Sequence, residues 1–241
     1  MLFHLKILYQ YLVCGGELVK NLFCFGDSHV SVFNYIDDQK VLKNTKIFVT
    51  MVPGATALGM VNPNSKTNAL NIFYSNLVDI PKDSSLLFML GEVDCGFVIW
   101  YRAQKYGIDV KEQLFQSINN YFSFLKVVED LGYKNNNIIV CTPPPPTIKD
   151  NQKWGEVANL RREVKATQKE RTELTLYYNE IIRSLCQQRG YKIIDTEKEF
   201  IDPKTSLVRA QYLNKNPLDH HLDNESASTV YIRKLKMLGF N

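Results

Sequence analysis

Five runs of the chain are continuously apolar, β-branched or aromatic and are bounded by turn-forming residues: Asn21–Phe25, Lys46–Val52, Ser85–Leu90, Asn137–Thr142 and Tyr191–Asp195. Runs such as Leu86-Leu87-Phe88-Met89-Leu90 show no polar alternation, so they predict strands covered on both faces. The longer segments between them carry a helical period. Lys66 to Leu77 places Ala69, Leu70, Ile72, Phe73 and Leu77 on one broad stripe, and Val110 to Leu131 does so with Leu114, Ile118, Tyr121, Phe122, Leu125 and Val128 before Gly132. A third helix is predicted from about Glu163 to Arg189, charged at first and apolar from Leu174 to Leu185, closing at Gly190; a last one covers about Glu225 to Leu238. Strands alternating with helices predict an α/β fold, a three-layer α/β/α sandwich around a five-stranded parallel sheet.

The chain's 241 residues suit a single such domain, placed at 21–241, with a core large enough to need no disulfide or metal. Ahead of it, residues 1–20 read as a leading amphipathic segment that packs on the domain or on a partner. His4, Lys6 and Gln10 interrupt its apolar residues, and the run is too short and too mixed for a transmembrane helix. Hydrophobic residues at 45% and charged residues at 22% argue against disorder, and a net charge of +4 is too weak to argue for nucleic acid.

Cys14, Cys24, Cys95, Cys141 and Cys186 are odd in number, widely spread and without CxxC spacing, which favours a reducing, cytoplasmic compartment. Neither they nor the four histidines suggest a metal site, and no cofactor is expected. Pro143–Pro146 ends the fourth strand stiffly and is expected to form a wall of whatever crevice lies at that edge. The charged stretch Asp150–Thr172, with Arg161, Arg162, Lys165, Lys169 and Arg171, reads as a solvated helix face; its alternative is that one or two cations meet an anionic substrate.

Candidate chemistry gathers at the strand ends. Leu22 to Phe25 stops at Gly26 and delivers Asp27, Ser28 and His29, and a serine just past the first strand sits where open α/β sheets present reactive groups. The same Gly-Asp-Ser is also ordinary turn chemistry. A nucleophilic serine needs a base, an orienting carboxylate and oxyanion donors. Asp219-His220-His221, in a polar loop before the last helix, offers either histidine as base and Asp219 as carboxylate. Pro53-Gly54-Ala55-Thr56 and Leu90-Gly91-Glu92-Val93-Asp94 follow the second and third strands as glycine-bearing loops. Beyond the third loop, Trp100, Tyr101 and Arg102 either line the mouth of the site or belong to an aromatic core stripe. His29 is expected to pack, cap or contact substrate.

These blocks resemble the SGNH or GDSL hydrolase superfamily: Gly26-Asp27-Ser28 its first, Gly54-Ala55-Thr56 its second, Gly91-Glu92-Val93-Asp94 its third and Asp219-His220-His221-Leu222 its last, over about residues 21 to 238. The resemblance implies a flavodoxin-like fold and ester chemistry, with Ser28 as nucleophile, His221 as base, Asp219 as its partner, and the backbone N–H groups of Ser28 and Gly54 as the oxyanion hole. His29, Asp94 and His220 are the expected substrate contacts, with Asp94 alternatively fixing its loop. Two departures stand out. The family's third block reads Gly-x-Asn-Asp, and Val93 cannot replace the asparagine's donor; its last block reads Asp-x-x-His, and here a single residue separates Asp219 from His221. The implied function is an esterase or O-acyltransferase, an acetyltransferase of polysaccharides among the options, acting on an acylated small molecule or glycan through an acyl-Ser28 intermediate. The alternative is a catalytically weakened domain that binds a glycan or a protein partner.

Overall fold

The computed structural model describes residues 13–14, 17–151 and 164–241. Most of the expected leading segment, together with Arg161 and Arg162, lies outside the described residues. Five strands, β1 (Lys20–Gly26), β2 (Thr45–Met51), β3 (Ser85–Met89), β4 (Ile138–Cys141) and β5 (Lys192–Ile194), form one parallel sheet. Their order, β2-β1-β3-β4-β5, is that of a flavodoxin-like sheet. Because every pairing is parallel, all five carboxyl ends open on the same edge.

Alternation along the strands divides the core in two. Phe23, Phe25, Leu86, Phe88, Ile138 and Val140 face one side, against α2 (Ala69–Asp79), α4 (Val110–Asp130) and α5 (Gln168–Arg189). Leu22, Cys24, Leu87, Met89, Ile139 and Cys141 face the other, against α1 (Val32–Asp38) and α6 (Asn224–Met237). The expected three-layer sandwich follows, since the apolar strands are covered on both faces. A further helix, α3 (Ile99–Tyr106), continues from a π-helical turn over Asp94–Val98. Among the described residues no helix is long and apolar enough to cross a membrane.

Local chemistry sets the boundaries. Asp109 caps α4 by accepting from the N–H groups of Lys111 and Glu112, and Asp223 caps α6 by accepting from Ser226 N–H. A reciprocal capping box between Thr167 and Glu170 starts α5 at Gln168, later than the charge pattern suggests. The charged stretch is not wholly a solvated face: Arg171 is buried, and its guanidinium donates to Ile148 C=O at 2.6 Å. Burial is tolerated because the backbone acceptor replaces water.

Candidate active site

Gly26 closes β1 at the tightest point of the sheet edge. A Cβ there would lie 2.4 Å from Met89 O and 2.9 Å from Val30 Cβ, so no larger residue fits without shifting backbone. Asp27 then caps a 3-10 turn over Ser28–Ser31, and Ser28 sits half-buried at its start. The Asp27 carboxylate accepts from His29 N–H at 2.8 Å through Oδ1, and the same oxygen meets His29 Nδ1 at 3.0 Å. The His29 ring is buried, with Glu92 Oε2 3.8 Å from Nδ1.

The loop before α6 repeats that arrangement. It is closed by a bridge between Leu213 and Leu222 and folded by Asp219 N–H donating to Asn216 C=O at 3.0 Å. Asp219 Oδ1 accepts from His221 N–H at 2.9 Å and meets His221 Nδ1 at 2.6 Å. An aspartate that bonds the backbone two residues on makes a compact turn. That turn brings carboxylate and ring together across one intervening residue, so the short Asp-x-His spacing still yields the pair.

With Nδ1 committed to Asp219, Nε2 is the ring nitrogen of His221 left for another partner. Nε2 is buried and has no hydrogen-bond partner. Burial, the largest influence, pushes the imidazole below its ordinary value, and the neighbouring His29 adds to this against the opposing pull of Asp219. The Asp219 carboxyl is held below the usual range: burial opposes ionisation, but the hydrogen bonds from His221 outweigh it. An imidazole with a fixed tautomer and an unpartnered Nε2 is what a general base requires.

The two turns face each other. The His221 ring centroid lies 4.7 Å from that of His29, the residue next to Ser28, and 4.2 Å from that of His220. A small cavity runs beside them, lined by His29, Ser31, Met89, Pro144, His221 and Tyr231 among others. Pro144 thus forms part of its wall, as the polyproline exit from β4 suggests. The described residues therefore bring Ser28, His29, Asp219, His220 and His221 to one edge of the sheet. Gly54 is exposed in the loop after β2, and among the described residues neither Ser28 nor Gly54 spends its backbone N–H on a backbone acceptor.

Sequence comparison gives no match to any family model or to any curated protein. Solved structures do match in shape. A GDSL-like lipase from Bacteroides thetaiotaomicron superposes with a TM-score of 0.56 at 12% identity, covering 90% of this chain and 87% of that one. An acetyl xylan esterase from Geobacillus stearothermophilus gives 0.52 at 14% identity, over 92% and 95% of the two chains. Another, AlAXEase, gives 0.54 at 12% identity, over 91% and 99%. The chain has the SGNH/GDSL-hydrolase fold.

Within this SGNH/GDSL fold the third loop departs from the expected substrate contacts. Asp94 is fully buried: Oδ2 accepts from Ala57 N–H at 2.8 Å, and Oδ1 accepts from Leu58 N–H at 2.9 Å and Ser117 Oγ at 2.8 Å. Three donors leave it no room for substrate; it ties the third loop to the second. Desolvation pushes its carboxyl up to about 6 despite those hydrogen bonds. Gly91 makes the loop possible, with φ +120 and a Cβ position 2.9 Å from Tyr178 Cε1. Val93 is buried.

Trp100, Tyr101 and Arg102 do not line the histidine cavity. Trp100 Nε1 donates to Cys95 C=O at 2.8 Å and its ring borders a separate groove with Val110, Leu174 and Tyr177. Arg102 Nε donates to Gln113 at 2.6 Å. Sequence reasoning missed the proximity of Glu92 to His29 and the anchor that Thr147 Oγ1 provides by donating to His220 C=O. It also did not foresee that three histidines meet. The repeated Asp-x-His, at 27–29 and 219–221, is the signal that could have found it.

Proposed function

We propose that this protein is a serine-dependent ester hydrolase or acyl transferase, working through an acyl-Ser28 intermediate on an O-acylated carbohydrate. The observation that carries the reading is the Asp219–His221 pair at 2.6 Å with His221 Nε2 unpartnered, on the turn facing that of Ser28. Ser28 Oγ attacks the ester carbonyl as His221 Nε2 takes its proton, and Asp219 holds the tautomer and stabilises the imidazolium. The backbone N–H groups of Ser28 and Gly54 receive the developing oxyanion. Collapse expels the alcohol, which takes the proton back from His221. Water or a sugar hydroxyl then attacks the acyl-serine by the same path in reverse, giving hydrolysis or transfer.

Acetylated glycans are the substrate class we favour, because two of the proteins sharing this fold are described as acetyl xylan esterases. Cys24, Cys95, Cys141 and Cys186 are free and buried, which fits the cytoplasm. The competing reading, a binding domain that retains the fold without turnover, draws on Val93, which supplies no side-chain donor where the family has asparagine. Hydrolysis of p-nitrophenyl acetate separates the two. Wild-type turnover is expected to fall by about 10³-fold or more in both Ser28→Ala and His221→Ala. Turnover that survives both substitutions rules out the serine mechanism, and failure of Ser28 to react with a fluorophosphonate in a wild type without turnover favours the binding domain.

A further inference from the structure

Three of the four histidines of this chain converge on one point. His29, His220 and His221 each offer a ring nitrogen within 4.8 Å of the others, and their ring centroids are 4.2, 4.7 and 5.7 Å apart. We propose that this triad binds one divalent transition-metal ion of the zinc class, with Asp27 and Asp219 as the carboxylates that orient the ligands.

The surroundings match what such an ion requires. A metal-bound histidine usually donates its second ring nitrogen to a carboxylate, which fixes the tautomer and turns the first nitrogen to the metal. Both His29 and His221 meet an aspartate through Nδ1, at 3.0 and 2.6 Å, which assigns Nε2 as the ligand atom in each. Nε2 of His221 is buried and unpartnered. Asp27, Asp219 and the nearby Glu92 place negative charge around the histidines, suited to offset a dication.

Geometry and ligand chemistry narrow the ion. Nitrogens on one tetrahedral zinc stand roughly 3.4 Å apart, so a spacing within 4.8 Å closes with at most about 1.4 Å of ring movement. The half-exposed His220 can supply most of it. Three imidazoles suit zinc and its neighbours; magnesium and calcium require oxygen ligands. The turns are anchored before any ion arrives, one by the Asp27 cap and the other by Thr147 on His220 C=O. Since Nε2 of His221 cannot hold a metal and take the proton of Ser28 together, occupancy switches the serine off. That consequence, unlike the site itself, rests on the serine mechanism proposed above.

The test uses the full chain freed of metal, titrated with Zn²⁺ against a chromophoric chelator, and with Co²⁺ followed by its visible absorption. One equivalent is expected to bind to wild type and equally to Ser28→Ala, with the strong visible bands of four-coordinate cobalt. His220→Ala is expected to lose most of that affinity, and Asp219→Asn to lose about 10- to 100-fold. His29 is buried, so His29→Ala is read beside its circular dichroism; the half-exposed His220 keeps the test decisive if that variant misfolds. Absence of saturable binding in wild type, or unchanged affinity in His220→Ala, overturns the site. Undiminished ester turnover at saturating Zn²⁺ overturns the mutual exclusion, whereas zinc binding by a metal-free chain that neither turns over ester nor reacts at Ser28 with a fluorophosphonate overturns the serine mechanism and supports the site.

Discussion

Asp27-Ser28-His29 and Asp219-His220-His221 are the same local structure built twice. In each, one carboxylate oxygen accepts from the histidine N–H two residues on and meets its Nδ1. They differ in surroundings. The first is sealed, with side-chain exposures of 5% for His29 and 1% for Asp27; the second is open, at 25% and 35%. The first also caps a helical turn, and its imidazole has a second carboxylate nearby in Glu92. Sequence motif and hydrogen bonding are therefore insufficient to assign a base. Exposure is what separates them: under the proposed mechanism the more open turn, whose His221 Nε2 has no hydrogen-bond partner, carries the base, and the sealed one holds Ser28 in place.

The largest effect that separates the turns is expected from Asp219→Asn. Loss of the carboxylate leaves the His221 ring without its fixed tautomer, and p-nitrophenyl acetate turnover is expected to fall by about 10²- to 10⁴-fold. Because Asp219 is part-exposed, thermal unfolding should barely move. Turnover within a few-fold of wild type would mean that the open turn is not the catalytic one.

Asp94 sharpens the comparison as a carboxylate at the same edge with no histidine. Burial holds its carboxyl up at about 6 in the folded form, against an ordinary value of 3.8. Between those values the native state binds more protons than the unfolded one, so stability falls as pH rises from about 4 to 6 and the full cost remains above that window. The contribution is about 3 kcal/mol in order of magnitude. Chemical denaturation of wild type and Asp94→Asn across this window tests it. The asparagine profile should be flatter, although asparagine cannot accept from both Ala57 and Leu58 and will itself lower stability. Equal pH slopes in the two proteins would show that Asp94 is not the group responsible.

The fold was legible because the five strands are continuous apolar runs, and a buried parallel strand leaves that mark in sequence. The helices with long stripes were legible for the same reason. Val32–Asp38 was not, since it grows directly out of the Ser28 turn and is too short to repeat a period. Ile99–Tyr106 follows a π-helical turn that breaks the ordinary phase. At the site, the blocks pointed to Ser28, Asp219 and His221, which the fold brings to one edge of the sheet, but they gave no sign of the burial that seals Asp94 and Arg171. Both depend on backbone partners distant in sequence, Ala57 and Leu58 for one and Ile148 for the other. Nor does periodicity reveal that His29 and His220 would meet, because a tertiary contact between two loops has no local signature.

The sealed turn has its own signature. Asp27→Ala removes an N-cap and the partner of His29, and is expected to cost about 1–2 kcal/mol by urea denaturation. If stability is unchanged, the cap is not what fixes Ser28, and the division of labour between the turns fails.

The smallest effect concerns Val93, in the third loop rather than in either turn. Removing a native oxyanion donor typically costs about 10²–10³ in rate. Restoring one by Val93→Asn should return less, because the amide would enter a buried position not shaped to aim it; a gain of roughly tenfold in kcat with little change in KM is expected. The split between the constants matters, since a donor that acts only on the developing charge leaves substrate affinity alone. A gain would mean that the open turn already supplies a working base and that the oxyanion hole limits the rate. No gain, in a variant that remains folded by circular dichroism, would mean that Val93 does not face the carbonyl oxygen and that the N–H groups of Ser28 and Gly54 bear the charge without it.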